Sequence, residues 1–306
     1  MITSHVNGSV TWIDLESPTK EELAWLGENY KLHRIILEDL ATPTIRARAD
    51  MYDEHLYAVF HFPFLSTSEV LHSTTDDEVD VIVGDKLLIT AHYKTIEPLF
   101  RVLRVFETQG ILKHTEHEVH AGHLFLQVMQ EMYLSLEAQL EHIGDHLKQI
   151  EGGIFAEEEK RMVNEISKVN RILINFRQSL RSHDQLLHSF GAAAQKFWGA
   201  SFAYHVAALL SAYNKVESAL ESYKEVLVDL RDTNDSLLST KLNSALQSLS
   251  MMAFVTFPLA VIVAVFNMQS PSNPLHGHPY DFWILLCIMA AAFVLMLAYF
   301  KHKKWI

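Results

Sequence analysis

Two runs near the end of the chain carry no charged residue: Leu249 to Phe266 (LSMMAFVTFPLAVIVAVF) and Phe282 to Phe300 (FWILLCIMAAAFVLMLAYF). About 20 helical residues cross a hydrocarbon core, so each run is close to spanning length. A buried core helix would explain one such run, but two in tandem favour membrane spans. The connection NMQSPSNPLHGHPYD has no Lys or Arg, whereas Lys241 precedes the first run and Lys301, Lys303 and Lys304 follow the second. Positive charge concentrates on the cytoplasmic side, which places both termini in the cytoplasm and the connection outside. Tyr280, Trp283, Tyr299 and Trp305 lie near the ends of the second run, as an interfacial aromatic belt requires.

The rest of the chain reads as a water-facing cytoplasmic region. A formal charge of -12 and the lack of a Lys/Arg cluster argue against nucleic acid as a partner. The single cysteine, Cys287, excludes an intramolecular disulfide and a thiolate cage. The start, MITSHVNGSV, lacks the basic and apolar regions of a signal peptide. There is no P-loop, His-Glu-x-x-His or Gly-x-Ser-x-Gly motif, so the expectation is that the chain is not an enzyme.

Residues 1–120 read as a small α/β domain. Strands are expected at Val10 to Asp14, His55 to Phe62, Glu78 to Val83 and Lys86 to His92, and helices at Lys20 to Tyr30 and Ile96 to Phe106. Thr19 with Glu22 three positions later forms a capping-box signal. Residues 121–248 read as helical, with Gly152-Gly153 separating a helix of Gly122 to Glu151 from one of Glu157 to Phe190, and a last helix starting near Trp198. No terminator separates that helix from the first apolar run, and its polar part from Ser201 to Ser248 would extend about 72 Å. Leu209, Tyr213, Val216, Leu220, Tyr223, Leu227 and Leu230 form a seam on it, for packing within one chain or between copies. The remaining divisions are a first span at 249–268, an outer loop at 269–281, a second span at 282–300 and a basic tail at 301–306.

This order of parts resembles the CorA family of divalent-cation channels, over essentially the whole chain. TWIDLESPTKEEL, LHRIILEDLATP followed by Arg46-Ala47-Arg48, YDEHLYAVFHF and the ending KHKKWI after Tyr299-Phe300 carry the resemblance. It implies a funnel-shaped homopentamer in the bacterial inner membrane that passes a divalent cation (Mg, Co, Ni or Zn) as cargo, with no covalently bound cofactor. The family's Gly-Met-Asn signature corresponds here to Phe266-Asn267-Met268-Gln269, with Asn in place of Gly and Gln in place of Asn. The resemblance makes this stretch the pore mouth, where oxygens hold a hydrated cation, and the changed residues imply a changed or broadened preference.

The same resemblance makes Asn243, Leu246, Leu249, Ala253, Phe257, Ala260, Ala264 and Gln269 the pore line, with Leu246 and Leu249 as an apolar gate and Phe257 as a second constriction. Helix packing is the other reading of that periodicity. In the outer loop, His276 and His278 with Asp281 are candidate metal residues, imidazole suiting zinc, nickel or copper better than magnesium; simple solvent exposure is the alternative. The resemblance also implies carboxylates near the start of the stalk helix that sense cytoplasmic magnesium, yet no carboxylate stands between Asp184 and Glu217, so that site is expected to be weak or absent. Asp76, Asp77 and Glu78 read as an acidic cluster or an exposed loop. His114, His117, His120 and His123, among 18 histidines, read as a helix junction or a metal site. A structural or regulatory homologue without selective transport is the alternative function.

Overall fold

The computed structural model describes residues 1–44, 47–52, 54–65, 74–112, 120–267 and 280–303. They divide into two compact units, Met1–Asn234 and Asp235–Ile306.

The first unit is built on a six-stranded sheet of order β1-β2-β6-β5-β4-β3, formed by β1 (Ile2–Asn7), β2 (Val10–Glu16), β3 (Arg48–Met51), β4 (Leu56–Leu65), β5 (Thr74–Val83) and β6 (Leu87–His92). Only the β2–β6 pair is parallel. The four expected strands are present, while β1 and β3 are edge strands whose half-exposed, polar sequences give little alternation to read. One sheet face packs Ile13, Leu15, Tyr57, Val59, Ile82, Ile89 and Ala91 against Leu23 and Leu26 of α1 (Lys20–Tyr30) and Ile36 of α2 (Arg34–Asp39). The capping box at Thr19 is formed, Glu22 N–H donating to Thr19 Oγ1 at 3.3 Å and Thr19 N–H to Glu22 at 2.9 Å.

Helices cover the other face: α3 (Glu97–Leu112), α4 (Ala121–Phe155), α5 (Glu159–Leu180) and α6 (His183–Trp198). Gly152 and Gly153 do not break a helix. They lie inside α4, and the reversal falls at 156–158, where Glu157 has φ 68°. A Cβ on Gly153 would sit 2.5 Å from Met162 Sδ, so this glycine serves the close approach of α4 and α5. The expected helix of Glu157 to Phe190 is also divided, at Arg181-Ser182, and α6 continues to Trp198.

After Gly199, at φ 89°, and a short 3-10 turn, α7 (Ala203–Phe266) runs for 64 residues. Its seam residues Leu209, Tyr213, Val216, Leu220, Leu227 and Leu230 are buried within the single chain, and Tyr223 is half-buried. Tyr213 meets Tyr133 of α4 at a ring separation of 6.0 Å, and Lys215 pairs with Glu137 at 2.5 Å. Packing within one chain therefore accounts for the seam. In the second unit, α8 (Asp281–His302) is also long and apolar enough to cross a membrane, and the apolar windows of α7 and α8 are unburied in the single chain.

The break before α6 places His183 in the core, fully buried among Phe60, Phe62 and Tyr133. Burial holds its pKa down to about 3, so it is neutral, with Nε2–H donating to the His61 carbonyl at 2.9 Å and Nδ1 accepting from Tyr133 OH at 2.8 Å. The unfolded chain gains a proton at this residue below about pH 6.5 that the folded chain refuses, so stability is full above that pH and falls as pH drops. The share lost between pH 6.5 and 5 is about 1–2 kcal/mol. Thermal unfolding of the detergent-solubilised chain at both pH values should show an acid-induced loss smaller by that amount in His183→Asn than in the native protein. Tyr133→Phe, which strands Nδ1, should cost about 1–3 kcal/mol at either pH; equal slopes in native and His183→Asn would refute this account.

Candidate functional site

Beyond the sheathed part of α7, residues 239–250 are exposed on every side in the single chain, including Leu242, Leu246 and Leu249. Bare leucines on a helix extending from a folded unit mark surface that needs partners or lipid. Through the apolar run the burial becomes one-sided: Met251, Val255, Pro258, Leu259, Ile262 and Phe266 are half-shielded. At about 100° per residue these fall on one face. Ala253, Phe257, Ala260 and Ala264 lie about 180° away, aligned with Leu246 and Leu249, and all six are exposed. Asn243 is exposed somewhat to one side of that line. In α8 the shielded positions likewise share a face: Ile284, Leu285, Met289, Ala292, Met296 and buried Phe300.

Two hydroxyls in this part of α7 are satisfied locally. Thr256 Oγ1 donates to Met252 O at 2.9 Å and Ser248 Oγ to Ser244 O at 3.0 Å, which lets hydroxyls sit in a low-dielectric setting at little cost. Pro258 removes one ladder donor, opposite the Phe254 carbonyl, and does not end the helix. The helix closes at Asn267, whose N–H donates to Val263 O at 3.0 Å. Asn267 is not among the described residues with positive φ, so a side chain there meets no left-handed strain. Met268, Gln269, His276 and His278 lie outside the described residues, as do His114 and His117; Asp281 is the first residue of α8.

Asp76, Asp77 and Glu78 do not form a loop. They lie on β5, with Asp77 and Glu78 buried, beside a cavity of about 240 Å³ lined also by Pro43, Thr44, His61, Tyr93 and Lys94. Each carboxylate already has an internal donor: Ser179 Oγ for Asp76 at 2.6 Å, Lys94 Nζ for Asp77 at 2.6 Å and Thr44 N–H for Glu78 at 2.6 Å. Two residues along β5, Asp80 accepts from Tyr57 OH at 2.8 Å, and burial with the Glu78 charge pushes its pKa up.

His120 and His123, from the histidine run, lie at a helix junction. His120 is the N-cap residue of α4, stacked on Trp198 with rings 5.2 Å apart, and His123 contacts His205 of α7 at 5.0 Å. Burial and the neighbouring His123 hold His120 down to about 4, and burial with His205 lowers His123. The spacing of the run signalled His120 and His123; nothing in the sequence signalled His205. Among the described residues, no group of three or more His, Cys, Asp or Glu side chains is arranged to hold a metal ion.

Comparison with known proteins agrees over the length of the chain. The family described as CorA-like Mg2+ transporter protein matches residues 7–302. YfjQ of Bacillus subtilis strain 168, named for metal ion transport, is 25% identical over 299 residues, covering 96% of this chain and 89% of that protein. The cobalt/magnesium transport protein CorA of Thermotoga maritima is 20% identical over 300 residues, covering 97% and 83%. Among solved structures, the complete CorA magnesium transporter of Methanocaldococcus jannaschii superposes with a TM-score of 0.85 at 20% identity, covering 99% of this chain and 94% of that one, which shows a shared fold.

The two faces of α7 predict contrasting reactivity. In a Cys287→Ser background, single cysteines at Ala253, Ala260 and Ala264 should react with a charged, membrane-impermeant thiol reagent in lipid vesicles at least tenfold faster than cysteines at Val255, Leu259 and Ile262. Equal rates on the two faces would remove the distinction.

Proposed function

Because the chain belongs to the CorA-like Mg2+ transporter family, we propose that it is a homopentameric membrane channel for divalent metal cations, set in the bacterial inner membrane with both termini in the cytoplasm. The observation that carries this reading is the unshielded face of α7, on which Leu246, Leu249, Ala253, Phe257, Ala260 and Ala264 align opposite the half-shielded one. Copies of α7 arranged about an axis would turn that face to a common lumen. Leucine and phenylalanine there give constrictions that close by dewetting, and the small alanines leave a narrow path between them. The divisions proposed are a cytoplasmic α/β domain at 1–120, a helical region at 121–248, spans at 249–268 and 282–300, an outer loop at 269–281 and a tail at 301–306.

The pore mouth is assigned to Phe266, Asn267, Met268 and Gln269. Side-chain amide oxygens suit a cation that keeps its water shell, and the added length of Gln269 relative to Asn favours a preference other than magnesium alone. Relatives are named for cobalt and magnesium. His276 and His278, near Asp281, extend the proposed range to nickel and zinc. The carboxylate-free stretch between Asp184 and Glu217 supports weakened magnesium sensing.

A second reading, a structural or regulatory homologue without selective transport, is favoured by the altered triplet and by the lack of any acidic residue from Asn267 to Tyr280. Uptake of Mg2+, Co2+, Ni2+ and Zn2+ into vesicles holding the purified chain separates the two. We expect flux above protein-free vesicles, and a changed ion order in the double variant Asn267→Gly, Gln269→Asn. No flux of any of the four ions would contradict the channel, and an ion order unaffected by the double variant would contradict the assignment of the triplet.

A further inference from the structure

Three histidines converge where α7 begins. His120 opens α4, His123 lies in its first turn, and His205 lies in the first turn of α7, with ring separations of 4.0 Å between His120 and His123 and 5.0 Å between His123 and His205. Aromatic residues wall the group: Phe202 packs on all three rings at 5.3–5.7 Å, and Trp198 stacks on His120.

The nitrogen atoms make this more than an aromatic cluster. Nδ1 of His120 and Nδ1 of His123 are both closed off from solvent and have no hydrogen-bond partner in the structure. Buried polar atoms are nearly always paired, so two orphaned ring nitrogens three residues apart indicate a missing partner. A neutral imidazole with a free lone pair is the form that binds a transition metal.

We propose that His120, His123 and His205 form a site for an imidazole-preferring divalent ion of the zinc, cobalt and nickel class. As they stand the three side chains are not arranged to hold an ion; two imidazoles bound about 2.0–2.1 Å from one tetrahedral ion would place their ring centres about 5 Å apart. His123 and His205 already stand at that separation, and His120 needs to draw about 1 Å away from His123 to join them. The rings are open in this structure and close on the ion by side-chain rotation. Exposed His205 gives the ion access from water. Three imidazoles suit this class of ion better than magnesium, which requires oxygen ligands. The site lies on residues of the first unit, and one of its ligands is carried by the helix that continues to Phe266. An ion held there would fix the start of α7 to the start of α4.

The test uses the metal-free full chain in lipid nanodiscs, carrying Cys287→Ser, His276→Ala and His278→Ala to remove other soft ligands, and titrates it with Co2+. Expected are the strong visible absorption of few-coordinate cobalt and quenching of Trp198 fluorescence, with binding at least tenfold weaker in His123→Ala and in His205→Ala. Trp198→Phe should lose most of the quenching but keep the absorption, and a large excess of Mg2+ should displace neither. If His123→Ala and His205→Ala, folded by circular dichroism, bind cobalt with the native affinity and spectrum, or if Mg2+ displaces the ion, the proposal is wrong. Metal uptake into vesicles plays no part in this readout.

Discussion

One backbone hydrogen-bond ladder has to serve in two solvents. From Ala203 to Asn234, α7 is held in water by a seam of buried leucine, valine and tyrosine side chains; from Leu249 to Phe266 it consists of residues that water would reject. A hydrocarbon layer offers no hydrogen bonds, so every peptide group in that second stretch has to be satisfied within the helix itself. Ser248 and Thr256 obey the same rule by bonding to carbonyls one turn back, and Pro258 is the single place where the ladder loses a donor. With the backbone thus closed, chemistry on this helix is left to the faces of its side chains.

The sequence made some of this plain and concealed the rest for identifiable reasons. Strands β2, β4, β5 and β6 were legible because central strands need β-branched and aromatic residues on both faces. Edge strands β1 and β3 carry polar residues because one side of each faces solvent, and that erases the pattern. The glycine pair in α4 reads as punctuation, yet Gly153 is there for contact with Met162, a reason visible only once α5 folds back. In the same way, acidic residues at the start of β5 read as loop because their partners, Thr44, Lys94 and Ser179, come from distant segments.

The candidate site divides along similar lines. Helical periodicity located the line from Leu246 to Ala264, but which side of α7 is left open emerged only from the burial of Met251, Val255, Ile262 and their neighbours. Of the histidine run, read as a helix junction or a metal site, His120 and His123 lie at a junction, and the grouping there also takes in His205 from far along the chain. His183 has both nitrogens paired and is structural, while His120 and His123 keep free Nδ1 atoms.

The central claim is that the face of α7 bearing Ala253, Phe257, Ala260 and Ala264 surrounds a shared axis. Electron cryomicroscopy of the full chain in lipid nanodiscs tests it most directly. The account predicts a pentamer with those four side chains lining a central path and Val255, Leu259 and Ile262 turned away from it. A map in which the second set faces the axis, or in which α7 helices share no axis, would contradict it.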